Sequence, residues 1–134
     1  MSTETLNKLN SNTNQQKVIR EIFNEIGKQL TITTKETTKA LNKYRSMYRS
    51  CLNSGNLNDS SLLSSEAEWN KKQQTMETLE QIKKILETNK NESGVYHTEA
   101  IDRELMSYTI LSTQKELFDI AKLFSDYREK IFNY

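Results

Sequence analysis

Proline is absent from the chain, and glycine occurs only three times, at Gly27, Gly55 and Gly94. Proline breaks helices by removing a backbone donor and glycine weakens them, so a chain nearly free of both can run long helices without interruption. Gly55 and Gly94 sit where apolar periodicity stops, in CLNSGNLNDSS and TNKNESGVYH. Glycine after an Asn- or Ser-rich stretch supplies the positive φ that closes a helix. These two stretches are expected loops, and they leave three helical segments.

In the first segment apolar residues fall at Ile19, Ile22, Phe23, Ile26 and Leu30, then at Leu41, Tyr44, Met47, Tyr48, Cys51 and Leu52. Steps of three and four mark one face of a helix. Thr13 and Gln16 have capping-box spacing, which predicts a helix over about 13–53, on the order of 60 Å long. Residues 1–12 are expected to be a flexible N-terminal segment ahead of a single bundle domain over 13–134. The second helix is expected over about 62–90, with Ser65 and Glu68 as a further box near its start and Trp69, Met76, Leu79, Ile82, Ile85 and Leu86 on its apolar side. A third helix is predicted over about 98–132, with Thr98 as N-cap and Glu99 and Asp102 in the first turn, where the helix dipole favours acids.

Threonine occupies 31, 33, 34, 37 and 38 in TITTKETTKA. β-Branched residues cost several tenths of a kcal/mol each in a helix, and LTITT alone reads as a strand. A strand there has no partner with alternating character elsewhere in the chain. Thr33 and Thr37 also carry the three-four spacing from Leu30 to Leu41, so the expectation is one continuous helix with a weakly packed middle. The hydroxyls are either a solvated stretch, a buried layer that sets register, or phosphorylation targets.

The expected fold is thus all-α: an elongated three-helix bundle in up-down-up order with coiled-coil-like packing. The first helix is longer than the second can cover, so part of it should project or pair with another copy.

Composition narrows function mostly by exclusion. Hydrophobic residues make up 34% and charged ones 28%, with net charge +1, so a polyanion partner must be argued from local clustering. Cys51 is the one cysteine, which suits a reducing compartment. MSTETLNKLNSNTNQQ has neither a basic nor an apolar leader region, and no run approaches the roughly 18 apolar residues of a membrane span, so a cytoplasmic or nuclear protein is expected. His97 and Cys51 lack companions at metal-ligand or catalytic spacing, and there is no Glu-x-x-His pair and no Gly-rich phosphate loop. No metal, cofactor or enzymatic activity is expected.

Three surface features remain. In KETTKALNKYRSMYRS, Lys35, Lys39, Lys43, Arg45 and Arg49 face a single acid, Glu36, while Tyr44 and Tyr48 interleave with the arginines. Such a patch can hold nucleic-acid backbone and stack on bases, or hold anionic headgroups. Alternatively the tyrosines lie on the core stripe, while the cations meet acids of the third helix or simply face water. Trp69 can anchor a partner or fill an end layer of the core. The C-terminal run LFDIAKLFSDYREKIFNY is apolar on more than one side, which suggests cover by a fourth helix, from a partner or a second copy. Trp69, Leu117, Phe124, Tyr127, Ile131 and Phe132 are the expected partner-binding residues. The expected function is a non-enzymatic helical protein-protein interaction module, a subunit or adaptor of a larger assembly or a homo-oligomer. The alternative is a nucleic-acid-binding or viral-type regulatory protein that uses the patch at 35–49.

Overall fold

The computed structural model describes the backbone of residues 3–133 and the side chains of residues 13–133. Four helices follow in order: α1 (Thr3–Ser54), α2 (Ser60–Thr88), α3 (Thr98–Gln114) and α4 (Phe118–Phe132). The described residues hold no strand, only an isolated antiparallel bridge between Lys90 and Tyr96. The all-helical expectation holds, and the helix count is corrected from three to four. No described helix is long and apolar enough to cross a membrane. Helix α1 begins at Thr3, so Thr13 does not mark its start. The flexible segment expected over residues 1–12 overlaps the start of α1, and its side chains and residues 1–2 lie outside the described residues.

The extra helix comes from a turn without glycine. Glu116 takes a left-handed φ of 60°. Around it the Leu117 N–H donates to the Ser112 carbonyl at 2.9 Å and the Glu116 N–H to the Thr113 carbonyl at 3.0 Å. That is the Schellman pattern of a helix end, with glutamate at the position glycine usually holds. The same pattern closes α1 with its usual residue: Gly55 has φ 76°, and Asn56 and Gly55 donate to the carbonyls of Cys51 and Leu52 at 2.9 and 3.2 Å. The start of α2 is capped by Asp59, whose Oδ1 accepts the Ser61 N–H at 2.8 Å, upstream of the expected Ser65 box. At α3, Thr98 is the first helical residue and His97 the cap, with no side-chain cap bond.

The chain divides into two compact units: unit 1 is Met1–Gly27 with Glu80–Tyr134, and unit 2 is Lys28–Leu79. In unit 1, four helical stretches bury Ile19 and Ile26 from α1, Ile82 and Leu86 from α2, Ile101 and Leu105 from α3, and Phe124 and Ile131 from α4. The loop between α2 and α3 is held by Gln16. Its Nε2 donates to the Tyr96 carbonyl at 2.7 Å, and its Oε1 accepts the Tyr96 N–H at 2.7 Å. Gln16 therefore binds a loop 80 residues away, where the sequence suggested a local cap.

Unit 2 is a helical hairpin. Tyr44 meets Trp69 and Glu36 meets Lys72, so α1 and α2 run antiparallel here. The buried positions along α1 are Thr33, Thr37, Ala40 and Cys51, and α2 offers Leu62 and Ser65 near the loop. The threonine run is continuous helix, as expected. Of its five residues only Thr33 and Thr37 are buried, and the Thr37 hydroxyl donates back to the Thr33 carbonyl at 2.7 Å.

Candidate functional site

The basic run lies wholly in unit 2. Lys43 pairs with Glu68 at 3.6 Å, and Lys72 of α2 pairs with Glu36 at 3.0 Å. Among the described residues Lys43 thus meets an acid of α2 and not of the third segment, while the other cations of the run face water. Together with Lys39 and Ala40 the four paired side chains line a hollow of about 270 Å³. Lys35, Lys39, Arg45 and Arg49 are exposed and have no ion pair among the described residues.

Tyr44 stacks on Trp69 with ring centroids 5.5 Å apart and planes 17° from parallel. One face of Tyr44 is therefore occupied, and Trp69 is a half-buried part of the hairpin seam. Tyr48 packs obliquely on Tyr44 at 6.1 Å and keeps 41% of its surface exposed. The two sequence features, basic patch and lone tryptophan, are one cluster in space.

The C-terminal residues separate into two groups. Phe124, Tyr127 and Ile131 are buried within unit 1. Phe124 stacks on Tyr108 at 5.1 Å, and Lys130 sits over the Tyr127 ring at 4.8 Å. Burial, and secondarily the Glu25 carboxylate, push the Tyr127 phenol above its ordinary range. The fourth helix that this crowded run called for is α4 itself, folded back after the Glu116 turn. Three of the six residues expected to bind a partner thus belong to the chain's own core. Phe132 is half-buried and Leu117 is 39% exposed.

What remains outside is the α3–α4 joint. Phe118 is 63% exposed, with Leu111 at 50%, Ile110 at 47% and Met106 at 46%. Sequence reasoning named only Leu117 here as a site residue, because a continuous helix over 98–132 hides the joint. Its signal would have been Lys115-Glu116, two charged residues that interrupt the apolar spacing between Leu111 and Leu117.

His97 is exposed and Cys51 is a buried free thiol. Among the described residues no three His, Cys, Asp or Glu side chains are grouped to hold a metal ion. Compared with models of protein families, with curated proteins and with solved structures, the chain matches none.

Proposed function

We propose that this chain is a non-enzymatic helical protein-protein interaction module, a subunit or adaptor of a larger assembly or a homo-oligomer. The observation that carries the reading is the α3–α4 joint, where Ile110, Leu111, Leu117 and Phe118 stay between 39% and 63% exposed within nine residues of sequence. Exposed apolar groups concentrated in one place are characteristic of interaction surfaces. Its buried free thiol suits a reducing compartment, cytoplasm or nucleus. Light scattering after size exclusion tests the reading on the purified chain and on the protein isolated from its native source. A mass above 15.7 kDa in either setting supports it. A bare chain in both overturns it.

A second reading has its own observation, the exposed Lys35, Lys39, Arg45 and Arg49, which have no ion pair among the described residues. These fit a polyanion such as single-stranded nucleic acid, with Tyr48 free to stack on a base. Retention on single-stranded DNA at low salt, falling steeply as salt rises and abolished by Arg45→Glu with Arg49→Glu, would establish it. No retention at low ionic strength would remove it.

A further inference from the structure

The ion pairs of unit 2 fix which flank of the hairpin each side chain occupies. Glu36 and Lys43 each precede a seam residue, Thr37 and Tyr44, by one position, a turn of about 100° to one side of the seam. Glu68 precedes Trp69 in the same way. The pair Lys43–Glu68 shows that these preceding positions share a flank, and Lys72 reaches Glu36 on it. Positions that follow a seam residue by one therefore share the opposite flank. On α1, after Ala40, Tyr44, Met47 and Cys51, they are Leu41, Arg45, Tyr48 and Leu52; on α2, after Leu62 and Ser65, they are Leu63 and Glu66.

The flanks differ in kind. The first is charged and carries both of these ion pairs, with Lys39 beside them in the same hollow. On the second, Tyr48, Leu52 and Leu63 are 41%, 51% and 55% exposed. Arg45 on α1 and Glu66 on α2 have no ion partner among the described residues.

We propose that this flank binds the same flank of a second copy of the chain, forming a four-helix bundle from two hairpins. The proposal rests on the interaction reading above and names its partner. A two-fold axis along the hairpin lays α1 of each copy over α2 of the other, with both loops at one end. Because Tyr44 lies level with Trp69, Tyr48 and Leu52 come over Leu63 of the second copy, and Arg45 and Arg49 flank its Glu66. The contact is isologous, so each charge pairing forms twice. A cation row alone would suit an anionic lipid or nucleic acid. An unpaired acid at the same level on the facing helix suits this flank better to itself. The threonine stretch of the seam adds little apolar core to the hairpin, and a second layer of helices adds more.

The test uses the full chain. Wild type should elute with twice the 15.7 kDa chain mass. Arg45→Glu and Glu66→Arg each place like charges opposite one another twice, and each should weaken dimerisation about tenfold or more. An equimolar mixture of the two variants should recover the dimer, because both pairings become attractive in the heterodimer. Circular dichroism checks that each variant stays helical. A wild type that is monomeric at every concentration overturns the pairing. So does an association that ignores both reversals and is lost in Phe118→Asp, although that result leaves the interaction reading standing.

Discussion

Helices α1 and α2 run through both compact units with the same three-four periodicity, yet they fill the two interiors with different chemistry. In unit 1 the seam positions are Ile19, Ile26, Ile82 and Leu86, each with no exposed surface. In unit 2 the buried positions include Leu62 and Leu79, but along the middle of α1 they are Thr33, Thr37 and Ala40, with Ser65 on α2. Burying an isoleucine or leucine side chain is worth roughly 1.5–3 kcal/mol, whereas a threonine contributes about one methyl group and must place its hydroxyl. Periodicity therefore fixes where helices meet, and residue size at the seam fixes how firmly. Unit 2 thus buries fewer large apolar side chains than unit 1.

The largest expected effect tests that contrast directly. Leu105→Ala in unit 1 should cost about 2–5 kcal/mol, from lost burial plus the cavity left behind. Thr37→Ala in unit 2 should cost under about 1 kcal/mol, because the lost methyl is partly offset by alanine's better helix propensity. Urea denaturation followed by circular dichroism measures both. Equal costs would break the comparison.

Next in size is Gln16, the polar lock of unit 1. Gln16→Ala leaves the buried Tyr96 N–H and carbonyl without partners and should cost about 1–3 kcal/mol. Gln16→Glu keeps the acceptor, loses the donor and buries a charge, so it should cost at least as much. If both variants keep wild-type stability, the loop is held by packing around Tyr96 instead.

Gln16 also shows what was legible in the sequence. Its neighbour Thr13 offered a local cap, and nothing in the chain between them signalled a partner at Tyr96. Helix class, the two glycine loops and the continuity of the threonine run could all be read, because they depend on spacing and on φ at Gly55 and Gly94. The break at Glu116 was harder to read, since a left-handed glutamate carries no glycine or asparagine signal and only the charged pair Lys115-Glu116 interrupts the apolar spacing. That one residue decides whether Phe124, Tyr127 and Ile131 read as an open face or a core. Likewise the pairing of Tyr44 with Trp69 is a tertiary fact that no spacing within α1 contains.

The third effect is a difference of local opening. Trp69 is the one tryptophan and lies in unit 2, so its fluorescence reports that unit alone. In urea its transition should precede the loss of total helicity. Amides of 31–38 should also exchange faster than those of 19–26 or 41–48, because fewer apolar contacts hold the threonine stretch shut. Coincident transitions and uniform exchange along α1 would show that the units open as one.

The smallest effect lies in the surface charges, and it sharpens the comparison from the other side. Both ion pairs of unit 2 are exposed, with Lys43 and Glu68 side chains at 60% and 50% and Lys72 and Glu36 at 40% and 47%. In unit 1, Arg128 holds Asp102 at 2.6 Å with side chains only 25% and 26% exposed. Water and salt screen the first two, and ordering long lysine chains cancels much of the attraction, so Lys43→Ala or Lys72→Ala should change stability by less than about 0.5 kcal/mol. Arg128→Ala should cost more, about 1 kcal/mol or above, because its partner is left half-buried without its cation. The order of these costs is the informative part. Were Lys43→Ala the costlier change, with the difference vanishing in high salt, unit 2 would be held by its charged flank, and the thin seam would not be its weak point.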